Sequence, residues 1–186
     1  MYKKILGGFI LFIFIALIML FPFTASLLDK QFSFIEVNSS PKTPWFLKEE
    51  KAKVVLLYFG YVGCSTICDP RLEELTKLYK EFDKMGVEVP LYFVNLKASQ
   101  EEKWVKNYAS SFHKNFHGVY ANENQIDQLN ESFNLSLSKG VSELSHTSNL
   151  FLMLKEDKKY VLKYIFTTRP YNTDRLFKVI QEYYKN

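Results

Sequence analysis

The sequence predicts a mixed α/β domain, in which helices cover both faces of a β-sheet, attached to one N-terminal transmembrane helix. Two observations lead to this fold class. Ile5 to Phe23 is a run of 19 residues without a charged side chain. Beyond it, short apolar runs typical of buried strands alternate with segments whose apolar residues recur at helical spacing. The 17% aromatic content supplies side chains to fill the interior between the sheet and the helices.

The uncharged run from Ile5 to Phe23 is long enough, at the rise of an α-helix, to cross a bilayer core of about 30 Å. Lys3 and Lys4 precede it, and basic residues that flank a span stay on the cytoplasmic side. We therefore expect a single-pass membrane protein with a cytoplasmic N-terminus. Its globular domain would be exported to the periplasmic or extracytoplasmic side.

A cleaved signal peptide is the alternative for this segment. Signal peptides have an apolar core of about 7–15 residues that ends at a small-x-small cleavage site. The run here is longer, and Phe23-Thr24-Ala25-Ser26 fits such a site poorly. The sequence thus favours an uncleaved membrane anchor at residues 1–25, followed by one domain at residues 26–186.

The exported part is nearly balanced in charge. The net charge of +4 falls to +2 when Lys3 and Lys4 are set aside, which leaves 22 basic against 20 acidic residues. Lysines are mixed with glutamates, as in Lys48-Glu49-Glu50-Lys51. This mixture is typical of a solvated surface and not of a basic stripe that binds nucleic acid, so we expect no nucleic-acid partner.

The first elements of the domain are two strands around a turn. Alternating apolar residues from Phe32 to Val37 predict an edge strand, and Val54 to Phe59 predicts a buried central strand. Apolar residues at helical spacing then predict a helix from about Cys68 or Pro70 to Met85, ended by Gly86. A second central strand is expected from Val87 to Leu96.

The middle of the domain predicts two more helices around a short strand. Ser99-Gln100-Glu101-Glu102 is a helix-opening sequence. His117 to Tyr120 predicts the strand, and Asn122 is expected to cap the helix that follows.

The last part predicts a hairpin and a final helix. Asn149 to Leu154 and Tyr160 to Phe166 are the expected hairpin strands, and Thr173 to Tyr184 is the helix. Four of its residues are expected to point inward: Leu176, Val179, Ile180 and Tyr183. The resulting order, ββαβαβαββα, is the pattern of a thioredoxin-like fold with an added strand–helix unit.

Both cysteines of the chain, Cys64 and Cys68, lie where the first central strand gives way to a helix. In α/β folds, the turns at the carboxyl ends of the strands are where ligands bind. The start of a helix also favours thiolate over thiol, because its unpaired N–H groups and its dipole stabilise negative charge. The aromatic residues of this strand and turn, Tyr58, Phe59 and Tyr61, are expected to pack in the core and line the pocket.

Two thiols this close can be a redox pair or a pair of soft metal ligands. A thioredoxin-type redox pair has two intervening residues, whereas Cys64 and Cys68 have three. The longer loop lets the two sulfurs lie apart on either side of an ion. A disulfide between them remains an alternative. A purely structural role, as two buried core cysteines or as a disulfide, is the third alternative, but so small a disulfide loop would constrain the unfolded chain little.

A histidine is the candidate third ligand. Thioredoxin-like folds place the segment just before the first hairpin strand opposite the cysteine turn, and here that segment contains His146. Two thiolates and one imidazole would suit copper, and with a water as the fourth ligand they would also hold zinc. The alternative is a surface histidine in a polar loop.

With these residues in view, the chain resembles the SCO/SenC copper-delivery proteins of cytochrome c oxidase assembly. The resemblance covers about Phe32 to Asn186 and is carried by four features. They are the strand and turn YFGYVGC ending at Cys64, the three-residue gap to Cys68, the amphipathic helix after it, and the segment HTSNLFL that begins at His146. Phe116 to Leu135 also resembles an insertion of the family.

The resemblance implies that Cys64, Cys68 and His146 bind one copper ion, as Cu(I) or Cu(II). It also implies delivery to the copper centre of a terminal oxidase subunit, and a thiol-reductase role. The family commonly has Cys-Pro-Asp-x-Cys-Pro, whereas here the proline is Pro70 and no acid lies between the cysteines. The change removes no ligand but alters the surroundings of the sulfurs, which tune metal affinity and thiol pKa.

The predicted function is therefore a membrane-anchored metallochaperone that hands copper to its partner by ligand exchange. We expect it to act as a monomer. The alternative is an exported thiol–disulfide oxidoreductase that keeps the cysteines of a partner reduced, which would need Cys64 and Cys68 but not His146.

Overall fold

The computed structural model describes residues 10–21, 34–139, 144–145 and 148–185. The chain divides into two compact units, Met1–Ser33 and Phe34–Asn186. In the first unit, residues 10–21 are helical and nearly all of their side chains are exposed. Within the described ranges, no helix combines the length and the apolar character needed to cross a membrane. The predicted span from Ile5 to Phe23 extends outside those ranges at both ends, so the anchor stays a prediction.

The second unit contains the strands and helices that the sequence predicts, together with a short 3-10 turn and two strands of two residues each. In chain order they are β1 (Phe34–Ser39), a 3-10 turn (Trp45–Leu47), β2 (Val54–Gly60), α1 (Cys68–Met85), β3 (Leu91–Asn95), α2 (Glu102–Phe112), β4 (Phe116–Val119), α3 (Glu123–Phe133), β5 (Ser138–Lys139), β6 (Leu144–Ser145), β7 (Leu150–Glu156), β8 (Lys159–Phe166) and α4 (Thr173–Lys185).

The main sheet has six strands in the order β1-β8-β7-β2-β3-β4. β2, β3 and β4 are parallel, whereas β7 is antiparallel to both β2 and β8, and β8 is antiparallel to β1. β5 and β6 form a separate two-stranded sheet. The parallel arrangement brings the carboxyl ends of β2 and β3 to one edge, where Gly60 pairs with Asn95. The predicted edge position of β1 and the predicted hairpin are confirmed.

Helices pack on both faces of the sheet, as predicted. Because side chains alternate along a strand, Val54, Leu56 and Tyr58 of β2 face one cluster, together with apolar residues of α1, α2 and α4. The neighbouring residues Val55 and Leu57 face the other cluster, with apolar residues of α3 and the 3-10 turn. All residues of β2 are buried, which explains why the strand is a continuous apolar run and not an alternating one.

Two element details differ from the prediction. β3 begins at Leu91 and not at Val87, after Pro90, which has no N–H to donate to a ladder. Tyr183 was expected to point inward but is 38% exposed. The neighbouring Tyr184 packs on the core instead, and its hydroxyl donates to the Glu88 carbonyl oxygen. The expected cap of α3 is confirmed: Asn122 and Gln125 form a reciprocal capping box.

Candidate functional site

The turn between β2 and α1 is built around the carbonyl group of Cys64. This oxygen accepts hydrogen bonds from the backbone N–H groups of Cys68, at 3.0 Å, and Asp69, at 3.3 Å. Cys64 N–H donates in turn to the Tyr61 carbonyl oxygen at 3.2 Å. Gly63 has φ of +90°, a conformation that favours glycine. The first cysteine therefore accepts hydrogen bonds from two of the otherwise unpaired N–H groups at the start of the helix that the second cysteine begins.

The end of β3 holds this turn in place. The side-chain oxygen of Asn95 accepts from Val62 N–H at 3.2 Å, and its side-chain nitrogen donates to the Lys97 carbonyl oxygen at 2.7 Å. Leu96 N–H donates to the Gly60 carbonyl oxygen at 2.7 Å. Asn95 is fully buried, so both ends of its side chain need these partners. From the sequence, Asn95-Leu96-Lys97 stands where the resembled family usually has an Asp-Pro turn, which indicates altered surroundings of the sulfurs but not the contact with Val62.

The two sulfurs are buried and in contact. Cys64 is 4% exposed and Cys68 is fully buried, and neither forms a disulfide. The pKa of the Cys68 thiol is raised to about 12, mainly by burial and then by a hydrogen bond with the Cys64 sulfur. A backbone hydrogen bond with Tyr61 lowers the pKa by less than these two causes raise it. The expectation that the helix start favours thiolate at this position is therefore wrong for Cys68, because desolvation outweighs the helix N-terminus.

Two tyrosines flank the cysteine turn. The ring of Tyr58 is fully buried and stacks on Phe93, with ring centroids 6.2 Å apart. Tyr108, on α2, packs on the same Phe93 at 5.0 Å and donates its hydroxyl to Asp69, the residue after Cys68. Burial and the Asp69 carboxylate raise the pKa of Tyr108, so it remains a neutral donor. The core position predicted for Tyr58 is confirmed.

A polar network connects α1 to the segment that precedes β7. Arg71 donates to Glu74 at 2.6 Å, and its guanidinium lies 4.9 Å from the ring centroid of Tyr171. The other oxygen of Glu74 accepts from Tyr171 N–H at 2.6 Å. The Tyr171 hydroxyl donates to the Ser148 carbonyl oxygen at 2.8 Å, and Arg169 donates twice to the Ser148 hydroxyl. The network fixes Ser148 to the helix that Cys68 begins.

The predicted third ligand, His146, lies outside the described residues. The structure brings Cys64 and Cys68 together, and the position of His146 relative to them stays a prediction. In the described part of the chain, no group of three or more His, Cys, Asp or Glu side chains could hold a metal ion. The cysteine turn supplies two of the three expected donors.

The donor set fits a soft metal ion. Sulfur ligands select Cu(I) and zinc over hard cations, and both sulfurs here lie in a largely apolar pocket. They are thiols and not a disulfide, so both are available to an ion on loss of their protons. Two thiols in contact can also close a disulfide, so the arrangement is compatible with redox chemistry.

Comparison with known proteins identifies relatives of the whole second unit. Residues 24–185 match the SCO1/SenC family. An SCO2-like protein of Rickettsia felis is 25% identical over 130 residues, 66% of this chain and 63% of the relative. The match thus spans less than two thirds of that relative's length.

Solved structures show the same fold. Copper-bound ScoI of Arabidopsis thaliana superimposes with a TM-score of 0.61 at 20% identity, over 82% of this chain and 99% of ScoI. BsSco, a member of the Sco family of cytochrome c oxidase assembly proteins in which a disulfide switch was identified, gives 0.61 at 21% identity, over 80% and 95%. These likenesses establish the thioredoxin-like fold. Together with the match over residues 24–185, they show that this chain belongs to the SCO1/SenC family.

Proposed function

We propose that this protein is a membrane-anchored copper metallochaperone. It binds one copper ion through Cys64, Cys68 and His146 and delivers it by ligand exchange to the copper centre of cytochrome c oxidase. The observation that carries the proposal is the pair of buried thiols in contact at the carboxyl edge of the sheet, in a chain of the SCO1/SenC family. The Arabidopsis relative of the same fold has copper bound, and BsSco belongs to a family of cytochrome c oxidase assembly proteins.

The geometry suggests a direction for transfer. Cys68 is fully buried at the start of α1, whereas Cys64 lies in the turn and retains slight exposure. An incoming ligand from a partner would reach the metal from the side of the turn. Cys64 would therefore exchange its bond to copper before Cys68, with release of His146 opening the coordination sphere.

The N-terminal segment supports the membrane location. Residues 5–23 are uncharged, and Lys3 and Lys4 precede them. With these residues as a single-pass anchor, the N-terminus is cytoplasmic and the thioredoxin-like domain is exported. The domain then meets, as a monomer, an oxidase subunit whose copper centre is on the same side of the membrane.

Anaerobic loading of the detergent-solubilised full chain with Cu(I) tests the proposal. X-ray absorption then counts the sulfur and nitrogen neighbours of the metal. Cys64→Ser or Cys68→Ser should abolish binding, and His146→Ala should weaken it. His117→Ala is the matched control, because this histidine is exposed on β4 and contacts Tyr92 instead of the cysteines. A triple variant of Cys64, Cys68 and His146 that binds copper with unchanged stoichiometry would refute the assignment.

A thiol–disulfide oxidoreductase is the second candidate, and the contact between the two sulfurs favours it. The raised pKa of Cys68 disfavours it, because thiolate is the attacking form in thiol–disulfide exchange. Reduction of insulin by the wild type and by His146→Ala separates the two functions. An oxidoreductase should keep most of its activity without His146, whereas a metallochaperone should lose copper affinity.

A further inference from the structure

A small pocket lies between the 3-10 turn and α3, on the face of the sheet opposite to the cysteines. Its volume is about 160 Å³. Leu129 and the ring of Trp45 supply most of its apolar lining. Leu129 is 3% exposed and belongs to the hydrophobic cluster that α3 covers, and Trp45 packs against that cluster. Both cysteines belong to the cluster on the other face, so this pocket is separate from the proposed copper site.

The polar side chains that line the pocket all carry N–H or O–H donors. Lys42, Thr43 and Lys48 come from the segment around the 3-10 turn, and Gln128 and Ser132 come from α3. No carboxylate is part of the lining. Toward the other described residues, none of these five side chains makes a hydrogen bond or an ion pair. Their donor groups are therefore available to a ligand.

The geometry of α3 keeps its carboxylates away from the pocket. Gln128 and Ser132 are four residues apart, so they lie on the same side of the helix. Asp127 and Glu131 each precede one of them, and a step of one residue turns a side chain by about 100° around the helix. Both acidic residues are exposed. The positive charge of the two lysines is thus not cancelled from this side of α3.

We propose that this pocket binds a small organic anion, a monocarboxylate with a compact apolar body of about six carbon atoms. An apolar cavity of about 150 Å³ holds benzene, so the volume is sufficient for such a body. The body would lie against Trp45 and Leu129. The carboxylate would lie at the rim, where Lys42 and Lys48 are exposed and can donate charge-assisted hydrogen bonds. This proposal does not rest on the proposed function.

Trp45 supplies the signal for a binding assay. The chain has two tryptophans, and the other one, Trp104, is 62% exposed on α2. Trp104→Phe therefore leaves Trp45 as the single source of tryptophan fluorescence and does not alter the pocket. The probe is 4-methylpentanoate, added to the full chain with Trp104→Phe in an uncharged detergent. It should change the emission of Trp45 in a saturable way, with a Kd on the order of 1 mM.

Two further ligands separate the contributions of charge and apolar body. 4-Methylpentanamide has the same body without the charge and should bind about tenfold more weakly. Acetate keeps the charge without most of the body and should bind at least about tenfold more weakly. Added salt should weaken the binding of 4-methylpentanoate and leave that of the amide unchanged, because salt screens the exposed lysines.

Three variants test the pocket itself. Lys42→Gln and Lys48→Gln each remove one charge from the rim, so each should weaken 4-methylpentanoate binding about threefold and leave amide binding unchanged. Ser132→Phe places a ring in the pocket and should abolish the binding of both ligands. Lys103→Gln is the control, because Lys103 is an exposed lysine on α2, and it should change neither affinity.

Three outcomes would overturn the proposal. The first is the absence of a saturable change in Trp45 emission on addition of 4-methylpentanoate. The second is equal affinity for the acid and the amide, since the lysines would then contribute nothing to recognition. The third is an equal loss of affinity in Lys42→Gln, Lys48→Gln and Lys103→Gln, which would show that the acid responds to the overall charge of the protein and not to this pocket.

Discussion

Gly60 keeps the space that the Cys68 side chain occupies, so Gly60→Ala is expected to displace the sulfur. The added Cβ would lie 2.9 Å from Cys68 Sγ and 3.0 Å from Phe93 Cε2. Ordinary contact distances between such atoms are about 3.5–4.0 Å. The sulfur, the aromatic ring or the strand must therefore move by roughly 1 Å in total.

The expected loss of stability is modest, and the expected loss of copper affinity is large. Overpacking a filled core costs about 1–3 kcal/mol, and replacing glycine in an extended strand returns about 0.4–1 kcal/mol through the unfolded chain. The free energy of unfolding should fall by roughly 0–2.5 kcal/mol. Metal–sulfur distances hold to within about 0.2 Å, so a sulfur displaced by several times that amount should weaken Cu(I) binding at least tenfold.

The assays are guanidinium unfolding and competition for Cu(I) against a chromophoric chelator. Gly86→Ala is the control, because Gly86 ends α1 with φ of 65° and has open space around it. Alanine there should cost about 1–2 kcal/mol through backbone strain alone and leave the sulfurs in place. If Gly60→Ala binds Cu(I) as tightly as Gly86→Ala, the sulfur does not depend on the space above Gly60 and the reasoning is refuted.

Three further predictions follow from the charged groups and the thiol. Glu74→Ala leaves the mostly buried Arg71 without its carboxylate partner, so the free energy of unfolding should fall by about 3 kcal/mol. The control Glu73→Ala removes an exposed carboxylate and should cost less than about 0.5 kcal/mol. A loss of less than about 1 kcal/mol for Glu74→Ala would contradict the prediction. Burial raises the pKa of the Glu50 carboxyl, but hydrogen bonds from neighbouring donors leave it below the usual 4.5. The ionised Glu50 carboxyl stabilises the fold fully above that pH, and this stabilisation is lost as the pH falls through the lower folded-state pKa. Glu50→Gln should therefore reduce the fall in melting temperature between neutral and acid pH. An unchanged fall in melting temperature counts against this prediction. Because the pKa of Cys68 is about 12, copper binding releases its proton, and the Cys64 thiol loses its proton on binding as well. Cu(I) affinity should therefore rise at least about tenfold per pH unit between about pH 6 and 9, and a flat profile excludes binding through Cys68.

Local patterns predicted most of the fold. The continuous apolar run of β2 and the helical spacing in α1 each carry enough signal to identify the element, and Gly86 marks the end of α1. The β5–β6 pair escaped prediction, because strands of two residues have no periodicity. Tyr184, and not the predicted Tyr183, packs on the core. Which of the two faces inward depends on how α4 lies against the sheet, and the spacing of apolar residues alone does not define this.

The candidate site was predictable only where it is local. Cys64 and Cys68 come together because one turn joins their two elements. Asn95 reaches Val62 from 33 residues away, and Glu74 reaches Tyr171 from 97 residues away. Contacts between residues so far apart in the chain follow from the register of the sheet, and no local pattern in a single sequence predicts them. The raised pKa of Cys68 likewise depends on the depth of burial, which the helix-start argument did not include.

The Cys64 carbonyl that closes the first turn of α1 also sets which part of the cysteine loop is free to change. Ser65 and Thr66 are exposed between the two cysteines, and the bonds that shape the loop come from residues outside this pair. The side chains at these two positions can therefore be substituted while the backbone of the loop keeps its conformation. Randomising these two positions offers a direct route to variants with graded ion preference on an unchanged scaffold.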